Sequence, residues 1–451
     1  MFGNITMAKK IIILGSGESG VGAALLAKQK GFDVFVSDSS SLKEPYKKEL
    51  DEAGIQWEEG GHSMDVILAA DEIVKSPGIP EKVPAMKAIR EKGISVISEI
   101  ELAYRYKGDS KIVAITGSNG KTTTTTLIHH ICITGGLDAA LVGNVGFSFA
   151  RQVAQSPKPY YIVEVSSFQL DDIKTFKPEI AVLTNITEDH LDRYDYKFEN
   201  YIASKFRIIM NQDEHDYFIY SEDDEVTTQY LEKFKNHSNP LPISMRKETN
   251  GAFIKDGDMY VRTGEDFITM SVEDFFQKGK HNQYNTMAAC LAAEKLDIRK
   301  DRIKEAVQTF QSLEHRMEPV ITVRGVEFIN DSKSTNVNSV WYALESMVKP
   351  TVLILGGVDK GNDYSILKDL VKQNVRAIVC MGTDNSKIHE GFADAGVPIV
   401  DTASAQEAVR ASFELAQKGD VVLLSPACAS FDLFKNYEDR GTQFKQAVRD
   451  L

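Results

Sequence analysis

At 451 residues the chain is too long for one ordinary hydrophobic core, and the length points to roughly three domains. Hydrophobic residues at 42% and charged residues at 26% describe a globular protein, and no run of about 18 apolar residues is present to span a bilayer. A formal net charge of −13 argues against a nucleic-acid surface. The four scattered cysteines (Cys132, Cys290, Cys380, Cys428) form neither a CxxC pair nor a disulfide framework, so a reduced, cytoplasmic protein is expected.

The first segment opens with a buried strand at Ile11–Leu14. It runs into Gly15-Ser16-Gly17-Glu18-Ser19-Gly20, an apolar-periodic helix and a second strand ending at Asp38. Further strands are expected at Glu72–Lys75 and Ser95–Ile97 with a helix between them. This reads as a Rossmann-like unit over 1–108, with Lys107–Ser110 as linker. The glycines and Asp38 suit a dinucleotide, and they suit the diphosphate of a nucleotide-sugar equally well; Ser76-Pro77-Gly78 supplies a second edge or is an ordinary turn.

The second segment, 109–312, begins with IVAITGSNGKT, a β-branched strand flowing into a Gly-rich turn. Backbone N–H groups of such a turn cradle phosphate oxygens, Lys121 lies over the terminal phosphates and Thr122 can hold Mg²⁺. Ile115 stands where the usual pattern has its first Gly. Strands are expected at Tyr160–Val165 and Ile180–Thr184, giving a parallel sheet covered by helices. Glu164 ends the first of these, where Mg²⁺ would be met, and Thr184–Asp192 places an acid–acid–His run ending at His190 beside the phosphates. By composition Lys205 is simply a helix lysine. Ser221–Phe276 is polar and turn-rich and reads as a small antiparallel addition, while Asn282 and Asn285 share a helix face.

The third segment, 313–451, has strands at Thr351–Leu355, Ala377–Met381 and Val421–Leu424, again doubly wound α/β. Asp331, Lys333 and Thr335 follow one strand, Lys360 another, and Ser430, Phe431 and Tyr437 follow the last. Three polar strand ends in one sheet indicate a cleft.

TGSNGKT, GNVG, EVSSFQL, NITEDHLDRY, HNQYN, LEHR, NDSKSTN and SPACASFDLFKNYEDRG lie in order along essentially the whole chain, and together they resemble the Mur ligase family of peptidoglycan synthesis. SSFQL, DSKSTN and SPACASFD resemble the branch that adds D-glutamate. The resemblance implies a cytoplasmic, monomeric, ATP-dependent amide ligase with two Mg²⁺ ions. Its substrates would be UDP-N-acetylmuramoyl-L-alanine and D-glutamate, joined through an acyl phosphate, with no nucleic-acid or membrane partner. Gly117, Ser118, Asn119, Gly120, Lys121, Thr122, Thr123, Asn282, Arg316 and Asp331 would contact ATP. Thr122 and Glu164 would hold one Mg²⁺, and His190 with a carbamylated Lys205 the other. Gly17, Glu18, Ser19, Asp38, Ser39, Ser76, Pro77, Gly78, Asn144, Ser166 and Gln169 would meet the UDP substrate, and Lys333 the reacting groups. Thr335, Lys360, Ser430, Phe431 and Tyr437 would hold D-glutamate. Two departures stand out: Glu18 puts a negative charge in the diphosphate turn, so its side chain either points away or bonds the uracil, and Tyr437 stands where Phe is expected.

Overall fold

The computed structural model describes residues 8–234, 237–275, 279–310, 314–345, 347, 349–359 and 361–451. They divide into two compact units. The first runs to Phe275 and adds Tyr284–Thr309; the second runs from Phe310 onward and takes in the start of helix Lys280–Glu294 as far as Gln283.

Two sheets make up the first unit. One has five parallel strands, β1 (Lys10–Leu14), β2 (Asp33–Ser37), β3 (Gln56–Glu58), β4 (Glu72–Lys75) and β5 (Ser95–Ser98), in the order β3-β2-β1-β4-β5. The other is nine-stranded: β6 (Lys111–Thr116), β7 (Ala139–Gly143), β8 (Tyr160–Glu164), β9 (Ile180–Leu183), β10 (Tyr217–Ser221), β11 (Asn239–Ser244), β12 (Ala252–Lys255), β13 (Asp258–Thr263) and β14 (Asp266–Ser271). Its order is β14-β13-β12-β11-β10-β9-β6-β8-β7. Parallel pairing holds from β7 to β12, and only β12-β13-β14 run antiparallel. The turn-rich stretch after Ser221 extends the central sheet, and its last three strands form the small antiparallel addition expected there. Its first strand, β11, escapes a sequence reading because Pro240 and Pro242 cannot donate to a ladder.

One hydrophobic cluster runs through both sheets' covering helices, from Ile13 and Val36 through Ile100 and Phe149 to Phe206. Helix Glu18–Gln29 packs on helix Phe149–Gln155 closely enough that a Cβ at Gly22 would lie 2.1 Å from Ser148 Oγ. Two buried acids of helix Glu99–Tyr106 accept hydrogen bonds from the central sheet's side, although Glu99 Oε2 has no partner among the described residues. Glu99 Oε1 accepts from Ser148 Oγ at 2.6 Å and the Ala150 N–H at 2.5 Å. Glu101 Oε2 accepts the consecutive N–H groups of Lys174, Thr175 and Phe176, each at 2.9 Å. Buried carboxylates persist only where such donors converge.

The second unit holds a six-stranded sheet: β15 (Glu318–Val323), β16 (Val326–Asn330), β17 (Thr351–Leu355), β18 (Val375–Met381), β19 (Ile399–Thr402) and β20 (Val421–Leu424), in the order β15-β16-β20-β17-β18-β19. Only β15 is antiparallel. The interleaving of β20 between β16 and β17 sets three strand ends side by side.

Candidate active site

The turn after β1 shapes the first cavity. Gly15 turns with φ +93°, where a Cβ would lie 2.5 Å from Ser76 Oγ, and Gly20 packs so tightly that a Cβ would sit 1.9 Å from Gly15 O. Gly17, by contrast, has nothing within 4 Å of its Cβ position, leaving the turn's backbone open to a ligand. Asp38 accepts from Ser16 N and Ser16 Oγ, both at 2.7 Å, and from Ser40 N at 2.8 Å. Around these residues is a cavity of about 860 Å³ that also takes in Ser19, Ser39, Ser76, Pro77 and Gly78, and Ser76 Oγ is buried there without a hydrogen-bond partner among the described residues. The Glu18 carboxylate leaves the turn: it pairs with Arg151 Nε at 2.7 Å and accepts the Ser148 N–H at 3.2 Å. Glu18 nevertheless lines the cavity, and Arg151 offsets its charge.

The central sheet presents a strand–turn–helix phosphate loop. β6 ends at Thr116, the turn Gly117–Gly120 follows, and Lys121 opens helix Lys121–Thr134, whose first turn also carries Thr122 and Thr123, both buried. The turn is held from β9's end: Ser118 N donates to Asn185 O at 2.9 Å, Asn119 N to Asn185 Oδ1 at 3.0 Å, and Thr184 Oγ1 to Asn119 O at 2.6 Å. Lys121 Nζ donates to the carbonyls of Gly117 and Ser118, both at 2.8 Å, so the cation curls over its own loop. Ile115, at the first-glycine position, pairs in register with Glu164.

Glu164 is 1% exposed. Its Oε1 accepts from Asn144 Nδ2 at 2.8 Å, whereas Oε2 is buried with no hydrogen-bond partner among the described residues. A buried carboxyl oxygen left unmatched beside a Gly-rich loop fits a hard divalent cation. Lys205, also 1% exposed, donates to Gly117 O at 2.7 Å and lies 4.6 Å from the Tyr201 ring centre. Burial, and then the nearby Lys121 charge, hold its ammonium well below the usual lysine range, which favours the neutral amine. His190 takes left-handed backbone, φ +53°, and meets the Phe168 ring edge-on at 5.1 Å. Ser166 and Gln169 form a reciprocal capping box on helix Ser167–Leu170, so the polar rim expected there is also a helix start. Sequence reasoning gave Arg193 no role. Its guanidinium stacks 4.4 Å from the Phe168 ring centre and donates to Pro77 O at 3.2 Å and Ile79 O at 3.3 Å, joining the His190 segment to the rim of the first cavity.

In the second unit the ends of β16, β20 and β17 adjoin, as the cleft reading requires. Asp331 is fully buried and accepts from Ser334 Oγ at 2.5 Å and Ser425 Oγ at 2.8 Å; burial raises its pKa, with Arg316 opposing. Burial, then the charge of Arg316, lowers the His281 pKa to about 4, so the helix start carrying Asn282 also lies near Arg316. Lys333 Nζ sits 5.6 Å above the Tyr437 ring. Thr335 is half-buried, Ser430 buried, and Phe431 72% exposed. Lys360 and Leu313 lie outside the described residues. Arg440, which sequence reasoning passed over, is buried and donates to Ser332 O at 2.8 Å and Cys428 O at 3.1 Å, bracing the loops after β16 and β20.

Family models match along the chain: a Mur ligase MurD-like N-terminal domain over 9–98, a Mur ligase middle domain over 115–293, and the Mur ligase glutamate ligase domain over 315–428. The chain belongs to the Mur ligase family and is an ATP-dependent amide ligase. It is 52% identical over 446 residues to the UDP-N-acetylmuramoylalanine–D-glutamate ligase of Christiangramia forsetii, across 99% of this chain and 100% of that one. To the enzyme of the same name from Cytophaga hutchinsonii it is 53% identical over 448 residues, covering 99% and 100%. The crystal structure of UDP-N-acetylmuramate-alanine ligase from Thermotoga maritima is similar in fold, with a TM-score of 0.63 at 17% identity, covering 98% of this chain and 99% of that one. Among the described residues no helix is long and apolar enough to cross a membrane.

Proposed function

We propose that this chain adds D-glutamate to UDP-N-acetylmuramoyl-L-alanine at the expense of ATP, acting as a cytoplasmic monomer. The observation that carries this reading is the phosphate loop with Lys121 at the helix start and, on the neighbouring strand, a Glu164 oxygen with no partner among the described residues. Full-length relatives carrying that enzyme name support the choice of substrates.

The open turn at Gly17, with Ser19, Asp38, Ser39 and Ser76–Gly78, would receive the UDP portion, while Asn144, Ser166 and Gln169 would lie along its acyl end. The Gly117–Thr123 backbone and Lys121 would hold the ATP phosphates, with Asn282, Arg316 and Asp331 on the nucleoside. Thr122 and Glu164 would hold one Mg²⁺, and His190 and Lys205 a second, Lys205 as its carbamate; neutral amine, the form burial favours, is the form that takes up CO₂. The ions supply charge cancellation on the phosphoryl oxygens. Lys121 would then offset charge on the transferring group as the acceptor carboxylate attacks the γ-phosphorus in line and ADP leaves, giving the acyl phosphate. The amine of D-glutamate, with its carboxylates held by Thr335, Lys360, Ser430, Phe431 and Tyr437 and with Lys333 alongside, displaces phosphate from the acyl carbon. The test is product mass from UDP-N-acetylmuramoyl-L-alanine, ATP and D-glutamate. One D-glutamate added per ADP released is expected, and absence of product, or equal turnover with L-glutamate, would refute the assignment.

A further inference from the structure

The outer edge of the third sheet brings together a thiol, an imidazole and a carboxylate, none of which the ligase site uses. β18 and β19 run parallel with Cys380 paired to Asp401, and partners in adjacent strands project from the same face of a sheet. Helix Ser386–Phe392 covers that face, since Cys380 shares a core cluster with its Ile388 and Phe392. The same helix carries His389, whose Nε2 lies 3.0 Å from Asp401 Oδ2. The Cys380 sulfur, a His389 ring nitrogen and an Asp401 oxygen all lie within 4.8 Å of one another, the one such trio among the described residues. Asn385 supports it, donating from Nδ2 to Asp401 Oδ1 at 3.0 Å while its own buried Oδ1 has no partner among the described residues.

Sulfur, nitrogen and oxygen together select a borderline-soft ion over Mg²⁺ or Ca²⁺. Zinc–ligand bonds put tetrahedral ligand atoms about 3.3–3.8 Å apart, so closure by about an ångström would suffice. The side chains of His389 and Asp401, 43% and 56% exposed, can swing by that much and leave an open approach. Cys380 is the buried anchor. We propose that Cys380, His389 and Asp401 form a site for one Zn²⁺-class ion, with water as fourth ligand, stapling the edge strand β19 to β18 and to the intervening helix. Binding releases the thiol proton to solvent, His389 ligates through one ring nitrogen and keeps its proton on the other, and no electrons move. The site lies within the second unit and does not depend on the ligase reading.

The test is a Co²⁺ titration of the full-length protein at neutral pH in excess Mg²⁺, followed in the near ultraviolet. A thiolate-to-cobalt charge-transfer band should saturate at one ion per chain and vanish when one equivalent of Zn²⁺ is added. His389→Ala should abolish it, and Asp401→Asn should weaken Co²⁺ binding at least about tenfold. Cys380→Ser should remove the band as well; because that residue is buried, the two exposed substitutions keep the test decisive if the serine variant misfolds. No band in the unmodified protein, or a band whose strength and affinity survive either exposed substitution, overturns the proposal.

Discussion

Glu99 and Ser148 face each other across the meeting of the first two sheets, with the Ser148 hydroxyl donating to Glu99 Oε1 at 2.6 Å. Ser148 is at the same time the N-cap of helix Phe149–Gln155, accepting the Arg151 N–H. The pair therefore fixes a helix end and a buried acid together. Burial raises the Glu99 pKa from 4.5 to about 7. Between those values the folded chain holds a proton that the unfolded chain has released. This contribution to stability is complete below about pH 4.5 and fades as pH climbs through 7. Glu99→Gln stays neutral throughout, so its stability relative to the unmodified protein should improve over that window, by an amount of the order of 3 kcal/mol. Urea midpoints from pH 4.5 to 8 measure this; parallel curves for the two proteins would contradict it.

Glu164→Gln should raise the Mg²⁺ concentration for half-maximal ADP release by at least about tenfold, since a charged metal contact becomes a neutral one. Thermal stability should hold or rise, because a buried carboxylate with an unmatched oxygen is removed. An unchanged Mg²⁺ requirement would take Glu164 out of the metal site.

Arg193→Ala releases the carbonyls of Pro77 and Ile79 at the rim of the first cavity. The KM for the UDP substrate should rise about tenfold, as expected for loss of charged hydrogen bonds that hold a binding edge, with the KM for ATP nearly unchanged. Equal effects on both would mean that Arg193 acts through the phosphate loop instead.

Gly117 has φ +146°, and a Cβ there would lie 1.9 Å from Thr184 Oγ1. Gly117→Ala should cost about 2–3 kcal/mol in strain and displaced packing and abolish nucleotide binding with it. Differential scanning calorimetry together with ATP titration reads both. A variant that keeps its melting temperature would show that the turn is less constrained than this geometry requires.

The sequence made the parallel strands and the phosphate loop legible because apolar runs ending in Gly-rich turns have few other uses. Ile11–Leu14, Thr351–Leu355 and the helix opening at Lys121 fall as read. Short or proline-bearing strands such as β3 and β11 did not announce themselves, since their pairing comes from neighbours rather than from their own residues. At the site, residue types suggested Glu164 from its strand end and Lys205 only through family resemblance. Nothing local separates a helix lysine from one buried against Gly117 O. Arg193 and Arg440 were invisible for a related reason: each bonds to carbonyls distant in sequence, and a carbonyl carries no side-chain signature.

Glu101 sends its carboxylate to three successive N–H groups of a segment about seventy residues downstream. A fragment ending near Tyr106 would therefore carry stranded anions along a greasy seam, and producing the five-stranded N-terminal module separately should yield an aggregating, half-finished piece.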